Sequence, residues 1–421
     1  MPNSGLRPIP LSSPDVSAGD RQRVHDVLCG STLSLGPVLP AFEAALAAAA
    51  GTRFAVAVNS GTSALHLSVK AAGLGAGDEV ITSPFSFVAS ANCLLFERAI
   101  PRFVAIDIDT YNLDPALIGP QVTQRTRGIL PVHVFGRPCD MATISALATE
   151  RDLVIIEDSC EAIGATIDGR LAGSFGQSGC FAFYPNKQIT TGEGGALVTD
   201  DERVARLARS WRNQGRGEGG AWLQHERLGY NYRLSDINCA LGLGQLSRLE
   251  SILRMRSKVA REYGELLSAV PEVIPPSPAM AGTEISWFVY VVRLQDEFTR
   301  EDRDRVLELL RQDGIGCNNY FAPIHLQEFY RKEFGYRRGD FPVTEHVADR
   351  TIALPCFNHL TSAQIETVAS SLARAIGSST RRAVVVPELA AAGRWTCKTF
   401  FRACPSIWIM GSCVRVCKAR W

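Results

Sequence analysis

The sequence predicts an α/β fold with a mostly parallel central sheet, followed by a smaller C-terminal α+β domain. Between about residues 53 and 200, short apolar runs such as 153–158 alternate with helical stretches. These runs are continuous rather than alternating, which is typical of parallel strands covered by helices on both faces. A proline-rich stretch at 269–278 then separates a second series of elements.

The apolar pattern of each stretch predicts its element. In the first part of the chain we predict strands at 55–58, 79–82, 101–109, 128–136 and 153–158, and helices at 64–72, 90–97 and 141–150. Next come a strand ending in the sequence VTD, a helix at 201–213, an exposed glycine-rich loop at 215–220 and one or two helices across 235–269. After the proline-rich stretch we predict a strand at 286–294 and helices at 302–313 and 361–376.

These elements divide the chain into three predicted parts. Residues 1–268 form a large domain with an N-terminal arm, and residues 269–377 form a small C-terminal domain. Residues 378–421 carry four cysteines and three tryptophans without a clear period, so we expect a poorly ordered tail. Because these cysteines lack the paired close spacing of zinc sites, no metal site is predicted.

Composition narrows the class of protein. The 421 residues include 44 Lys and Arg against 43 Asp and Glu, a formal net charge of +1, so nucleic acid is not an indicated partner. The first residues lack the apolar stretch of a secretory signal, and no apolar run reaches the roughly 18 residues of a membrane span. We therefore expect a cytoplasmic protein without a membrane partner, in which the cysteines between positions 29 and 356 are buried, reduced thiols.

The most informative stretch is FAFYPNKQITTGEGG at 181–195, in which Lys187 lies between a short aromatic strand and a turn rich in glycine and threonine. Such a setting holds a lysine amine rigid and partly desolvated, as Schiff-base chemistry requires. A solvated loop lysine is the alternative, and it is the commoner environment for a lone lysine.

A second candidate is SerGlyThrSer at 60–63, which follows a strand and precedes a helix. The small Gly61 lets backbone amides approach a phosphate at the helix N-terminus, and the hydroxyls of Thr62 and Ser63 add donors. An ordinary helix N-cap would have the same sequence.

The third candidate is Asp158, at the end of a buried strand. A carboxylate there is costly unless it has a cationic partner, such as a protonated pyridine nitrogen, although it could also cap the next helix. Strand-end ligands of a parallel sheet converge at one edge. Residues 60–63, Asp158 and Lys187 together describe pyridoxal 5′-phosphate (PLP) held at its phosphate, ring nitrogen and aldehyde. Phe87 is placed either to stack on the ring or to be a core aromatic.

The chain resembles the DegT/DnrJ/EryC1/StrS family of sugar aminotransferases, which are PLP enzymes of fold type I, the aspartate aminotransferase-like fold. The resemblance spans about residues 10–376 and rests on the motifs NSGTSALHL, GAGDEVITSPFSFVASAN, VHVFGRPCDM, IIEDSCEAIGA, FYPNKQITTGEGGALVTD and LGYNYRLSDINCALGLGQL. Later segments such as NYFAPIHLQEFYRKEFGY resemble members of the perosamine-synthase type, which act on nucleotide-linked keto-deoxy sugars.

The resemblance implies a role for each matching residue. Lys187 is the Schiff-base lysine and also moves the proton, Asp158 is the partner of the ring nitrogen, and Phe87 stacks on the ring. Gly61, Thr62 and Ser63 belong to the phosphate loop. Asn231 reaches the phosphate of the neighbouring subunit's cofactor, which implies a homodimer with shared active sites.

The resemblance also implies substrate contacts and two departures. The sugar meets Tyr184, Tyr320 and His325, although His325 could equally be a structural loop histidine. Glu161 is expected near the cofactor's phenolic oxygen, where many members have glutamine, and Ala182 replaces a serine that binds phosphate.

The implied reaction transfers an amino group from glutamate to a nucleotide-linked keto sugar. The alternatives are a PLP-dependent sugar dehydratase of the same fold, whose relatives carry histidine in place of this lysine, a non-catalytic regulator that retains the fold, or another fold type I enzyme such as a carbon–sulfur lyase.

Overall fold

The computed structural model describes residues 8–217 and 224–379. The predicted tail from residue 380 onward, and residues 218–220 of the predicted loop, lie outside the described residues. The strands are β1 Phe54–Val58, β2 Glu79–Thr82, β3 Ile100–Phe103, β4 Thr126–Leu130, β5 Val154–Asp158, β6 Thr166–Ile167, β7 Arg170–Leu171, β8 Ser178–Ala182, β9 Gly195–Thr199, β10 Val273–Ile274, β11 Thr283–Glu284, β12 Tyr290–Leu294 and β13 Thr351–Leu354.

The helices of the described residues alternate with these strands. They are α1 Ala18–Leu28, α2 Val38–Ala50, α3 Gly61–Ala71, α4 Ala89–Phe96, α5 Met141–Arg151, α6 Glu202–Arg212, α7 Asp236–Leu246, α8 Leu249–Leu267, α9 Arg300–Gln312, α10 Glu328–Phe334, α11 Pro342–Arg350 and α12 Ser362–Ser379. The helices predicted at 64–72, 90–97 and 141–150 correspond to α3, α4 and α5, with ends that agree to within three residues. The stretch predicted as one or two helices across 235–269 forms the two helices α7 and α8.

Within the described residues, the main sheet has seven strands in the order β1-β9-β8-β5-β4-β2-β3. The pairs from β8 through β5, β4 and β2 to β3 are parallel. Strand β9 is antiparallel to both of its neighbours, so β1 points in the same direction as β8. The predicted α/β class with a mostly parallel sheet is therefore confirmed.

Helices cover both faces of this sheet, and β1 shows how. On one face of the sheet, Val56 of β1 packs in an apolar cluster with Leu65 of α3. On the other face, the preceding residue Ala55 packs in a second cluster with Phe42 of α2. Successive side chains of a strand point to opposite faces, so a strand covered on both sides is apolar throughout. This burial explains why the strands read as continuous apolar runs.

Two predicted strands are shorter than expected. The prediction for 101–109 is wrong beyond Phe103, because the carboxylate of Asp107 accepts hydrogen bonds from the amides of Asp109 and Thr110 and closes a turn. The prediction for 128–136 is wrong beyond Leu130, where the chain bends through Phe135 with a φ of 57°. In both places local hydrogen bonding or backbone geometry ends a run that hydrophobicity alone would continue.

A second, antiparallel sheet has the order β10-β12-β13 and packs against α8, α9 and α12 around its own apolar cluster. The predicted break at 269–278 contains the short strand β10, which pairs with β12. A small sheet of β11, β6 and β7 lies apart from these two.

Two further features concern the described residues alone. None of their helices combines the length and apolar character needed to cross a membrane. Their cysteines are free thiols, six of them buried, Cys160 half-buried and Cys29 exposed.

Candidate active site

The carboxyl ends of β1, β2, β5 and β8 lie at one edge of the main sheet, and each leads directly into a predicted site residue. Strand β1 leads to 60–63, β2 to Phe87, β5 ends at Asp158, and β8 leads to Lys187. This edge is where ligands bind in parallel α/β sheets. The convergence follows from strand direction, which the sequence predicted.

Asp158 is 5% exposed at the end of β5. Its Oδ2 accepts a hydrogen bond from the hydroxyl of Ser90 at 2.6 Å, and its Oδ1 accepts one from the amide of Cys160 at 3.2 Å. Both donors are neutral, and burial of a carboxylate with neutral donors is costly. The site therefore suits a cationic ligand atom, and a protonated pyridine nitrogen of PLP is such an atom.

The backbone of Lys187 forms hydrogen bonds through both its amide and its carbonyl. Its amide donates to the carbonyl of Tyr184 at 2.9 Å, and its carbonyl accepts from the guanidinium of Arg256 at 3.0 Å. The side chain is 13% exposed, with Nζ 3.4 Å from Oε1 of Glu161 and 3.9 Å from the ring centroid of Phe288. The amine is therefore rigid and largely shielded, as the surrounding sequence predicted, and it is not a solvated loop lysine.

Glu161 is buried beside this amine. Its Oε2 accepts the amide of Phe135 at 2.9 Å while Oε1 faces Lys187. Burial raises the pKa of Glu161, the positive charge of Lys187 opposes that shift, and the negative charge of Asp158 adds to it. The carboxyl groups of Asp158 and Glu161 and the amine of Lys187 therefore lie in one electrostatic environment.

We expect this raised pKa to appear in the pH dependence of stability. The protonated form of Glu161 is favoured by folding, so its contribution is complete below the unfolded-state pKa, near 4.5, and is lost as the pH rises through the folded-state pKa. Glu161→Gln stays neutral, so wild type should lose stability relative to this variant as the pH rises. Denaturant unfolding of the cofactor-free proteins from acidic to neutral pH measures the difference. The exposed Glu284→Gln should follow wild type, and a pH-independent difference for Glu161→Gln would contradict the prediction.

The start of α3 forms the predicted N-cap. The hydroxyl of Ser60 accepts the amide of Ser63 at 3.1 Å, and the hydroxyl of Ser63 donates to Oδ1 of Asn59 at 2.7 Å. Thr62 is half-buried, and Gly61 packs so closely that a Cβ there would stand 2.7 Å from Cβ of Ala182. Ser60 is therefore a helix N-cap, as the alternative proposed. The N-cap does not exclude phosphate binding, because the first amides of α3 still face the carboxyl edge of the main sheet.

Gly195, the first residue of β9, packs directly against the backbone of Ser60 and Gly61 at the start of α3. A Cβ at this position would stand 2.5 Å from the amide nitrogen of Gly61 and closer still to the carbonyl carbon of Ser60. We expect Gly195→Ala to lower the free energy of unfolding by about 1–3 kcal/mol, as overpacking does, and to weaken PLP binding. Urea unfolding and a PLP titration measure both effects.

The control for this prediction is Gly119→Ala, because a Cβ at Gly119 would have no atom within 4 Å. We expect that variant to have wild-type stability. A Gly195→Ala protein that is as stable as wild type, with unchanged PLP affinity, would contradict the close packing of β9 against α3.

Phe87 is 62% exposed, which removes the alternative of a core aromatic. It lines a cavity of about 620 Å³ together with Ser86, Phe321 and Tyr330. An exposed aromatic face at the carboxyl edge of the sheet is available for stacking on a flat ring.

The three predicted substrate residues lie in different environments. Tyr184, whose carbonyl accepts the amide of Lys187, is 52% exposed. Tyr320 is half-buried, and burial together with the negative charge of Glu161 raises the pKa of its phenol. Tyr184 precedes Lys187 by three residues, and Tyr320 lies close enough to Glu161 to feel its charge.

The expectation that His325 meets the sugar needs correction. Its side chain is 0% exposed, its Nε2 lies 2.9 Å from Oε1 of Glu345, and its ring packs edge-on against Phe341. Burial lowers the pKa of this imidazole. The geometry corresponds to the structural alternative, in which His325 fixes the loop that carries Tyr320, and we do not include it in the site.

Asn231 is exposed, and its carbonyl accepts a hydrogen bond from Nδ2 of Asn59 at 3.4 Å.

Two residues of the site were not predicted from the sequence: Ser90, which contacts Asp158, and Phe288, which contacts Lys187. A hydroxyl one helical turn after Ser86 could have suggested Ser90, whereas nothing in the sequence placed Phe288 against Lys187.

The main sheet and the residues at its carboxyl edge define the class of protein: this is the aspartate aminotransferase-like fold, fold type I of the PLP enzymes. The family model described as the DegT/DnrJ/EryC1/StrS aminotransferase family matches residues 14–373. The chain belongs to this family, which implies PLP as its cofactor, and the predicted resemblance is confirmed.

Similar proteins support this assignment. GDP-perosamine synthase of Caulobacter vibrioides is 36% identical over 371 residues, which cover 88% of this chain and 98% of that protein. Helicobacter pylori PseC, an aminotransferase involved in the biosynthesis of pseudoaminic acid, has a solved structure with a TM-score of 0.84 and 28% identity, covering 88% of this chain and 100% of PseC. The solved structure of the putative sugar aminotransferase Spr1654 of Streptococcus pneumoniae in its PMP form has a TM-score of 0.84 and 26% identity, and the match covers 88% of this chain and 100% of Spr1654. Together these findings indicate a sugar aminotransferase.

Proposed function

We propose that this protein transfers an amino group from glutamate, through PLP, to a nucleotide-linked keto-deoxy sugar, giving a nucleotide-linked amino sugar and 2-oxoglutarate. The observation that carries the proposal is the shielded amine of Lys187, 3.4 Å from Glu161 and at the same sheet edge as the buried carboxylate of Asp158. The similarity to a protein named GDP-perosamine synthase supports a nucleotide-linked sugar as substrate.

Each residue has a task in this reaction. Bound PLP supplies an aldehyde that links to amines and a ring that accepts the electron pair released at the substrate carbon. Nζ of Lys187 takes the proton from the amino-bearing carbon of the donor and later delivers a proton to the accepting carbon of the sugar. The carboxylate of Asp158 holds the protonated ring nitrogen, and the amides at the start of α3 hold the phosphate.

Neighbouring side chains orient these groups. Ser90 and the amide of Cys160 fix the carboxylate of Asp158 through hydrogen bonds of 2.6 and 3.2 Å. Phe288 covers one side of the lysine amine and keeps water from it. Tyr184 and Tyr320 offer hydroxyls to the sugar, and Phe87 offers its ring face to the cofactor.

The proposal is tested in two stages. Purified protein with PLP should show visible absorbance that glutamate bleaches, whereas aspartate serves as the comparison donor. UDP-, GDP- and dTDP-linked 4-keto-6-deoxy sugars are then supplied with glutamate, and mass spectrometry should find one product in which an amino group replaces the keto oxygen. A product that has lost a hydroxyl without gaining nitrogen would identify a dehydratase instead, and absorbance that glutamate leaves unchanged would overturn the donor.

We also propose that the protein is a homodimer with shared sites, in which Asn231 reaches the phosphate site of the neighbouring copy. Its exposed position supports this role. Lys187→Ala and Asn231→Asp should each be inactive alone. Mixed and allowed to exchange subunits, they should recover up to about one quarter of wild-type activity, because half of randomly formed dimers contain one intact site of two.

Activity of the mixed sample, with subunit exchange verified by mass spectrometry of differently tagged chains, measures this recovery. Lys187→Ala mixed with a second preparation of itself is the matched control and should stay inactive. Verified exchange without recovered activity would contradict the cross-subunit role of Asn231.

A further inference from the structure

A polar and aromatic cluster lies beside α3, outside the proposed active site. We call it the His66 cluster; it consists of His66, Lys70, Glu97, Tyr230 and Tyr232. Nε2 of His66 lies 2.8 Å from Oε1 of Glu97, and Nδ1 lies 3.1 Å from the hydroxyl of Tyr232. The imidazole is 3% exposed, and the rings of Tyr230 and Tyr232 stack at 4.8 Å beside it. A buried histidine with both ring nitrogens engaged is held in one orientation.

The hydrogen-bond pattern assigns the direction of each bond. A carboxylate only accepts, so Nε2 of His66 donates to Glu97, and Nδ1 of the neutral ring accepts from the hydroxyl of Tyr232. Lys70 donates to both oxygens of Glu97 at 3.0 Å. Burial lowers the pKa of His66, which agrees with a neutral ring. Burial alone would raise the pKa of Glu97, but the bonds from Lys70 and His66 outweigh it and keep the carboxylate ionised.

The cluster connects to the start of α3 through Asn59. The amide of Asn59 donates to the carbonyl of Tyr232 at 3.0 Å, and its Nδ2 donates to the carbonyl of Asn231 at 3.4 Å. Its Oδ1 accepts the hydroxyl of Ser63 at 2.7 Å. A closed circuit therefore runs from the helix start through Asn59 to Tyr232, across the imidazole of His66, and back along α3.

We propose that His66 is a positioning residue for phosphate: by holding Tyr232 it fixes Asn59, and through Asn59 it sets the amides and hydroxyls at the start of α3 that receive the phosphate of PLP. This inference rests on the proposed function. It also makes the segment 230–232 and the helix start one unit, so that Asn231 is presented from a backbone whose position His66 determines.

The test compares PLP with pyridoxal, which has the same ring and aldehyde but no phosphate. Full-length protein is freed of cofactor with hydroxylamine and titrated with each compound by absorbance. We expect His66→Leu to weaken PLP binding by about tenfold, the effect of losing about one well-placed polar interaction, and to change pyridoxal binding by less than about twofold. Tyr232→Phe should act in the same direction, and the double variant should be no worse than His66→Leu, because both break one circuit.

The outcomes separate the two proposals. Equal losses of PLP and pyridoxal affinity, or unchanged PLP affinity in both variants, would overturn the role of His66 and leave the aminotransferase proposal intact. Wild type that binds PLP but transfers no amino group would overturn the proposed function and leave the positioning role intact. His66→Gln, which retains a donor and an acceptor, should restore part of the PLP affinity. His346→Leu, which removes another histidine–carboxylate pair 3.0 Å long, is the control and should leave the ratio unchanged.

Discussion

Lys187→Ala should abolish amino transfer, with a rate at least about 10⁴-fold below wild type, because the variant loses both the covalent anchor and a proton carrier, and acid–base catalysis alone contributes about 10²–10⁴-fold. The structure gives no second amine at this position: within the described residues, Nζ of Lys187 is the amine that lies beside Glu161 and Phe288. The measurement is single-turnover conversion of the keto sugar that the substrate panel identifies. The visible absorbance of bound PLP should also move, because free aldehyde replaces the lysine-linked form.

The matched control is Lys332→Ala. Lys332 is 75% exposed and pairs with Glu328 on the same helix, α10, and such surface pairs contribute little to stability. We expect this variant to have wild-type activity and absorbance. Wild-type turnover in Lys187→Ala would refute the assignment of the catalytic lysine, whatever the control shows.

Asp158→Asn is the prediction with the second largest effect. The variant keeps the size of the side chain and can still accept from Ser90, but it removes the negative charge that would hold a protonated ring nitrogen. Loss of one partner from a buried ion pair costs about 3–5 kcal/mol, so we expect turnover to fall by roughly 200- to 5,000-fold. PLP affinity should fall less, because the phosphate and aldehyde contacts remain.

Turnover and a PLP titration of Asp158→Asn separate these effects. Asp26→Asn on α1, an exposed position that pairs with Gln22, is the matched control and should behave as wild type. If Asp158→Asn lost less than a factor of ten in turnover, the carboxylate would not be the partner of the ring nitrogen. In that case its burial against Ser90 and Cys160 would have to be explained by packing alone.

Much of the candidate site was predictable because it depends on strand direction. Once the apolar runs indicate parallel strands, the residues that follow them must meet at one edge, and this brings 60–63, Asp158 and Lys187 together. Phe87 follows β2 for the same reason. The motif resemblance added the roles of these residues, and the family match over residues 14–373 confirms the family that it named.

Other features depend on contacts between distant parts of the chain. His325 and Tyr320 lie in one short segment, yet Tyr320 lies near Glu161 while His325 is fully buried against Glu345. Sequence spacing cannot separate them, because the path of an irregular loop decides which side chain faces the site. The contact of Phe288 with Lys187 has the same origin, since the two lie in elements that only the tertiary fold brings together.

The sequence by itself determined the α/β class, the order of the elements and the strand ends that carry Asp158 and Lys187, because backbone periodicity is written in local apolar patterns. The tertiary structure alone decided the neighbours of these residues. It placed Glu161 beside Lys187, Ser90 against Asp158, and the His66 cluster behind the start of α3. Hydrogen-bond partners depend on the packing of side chains from separate elements, and local patterns carry no information about that packing.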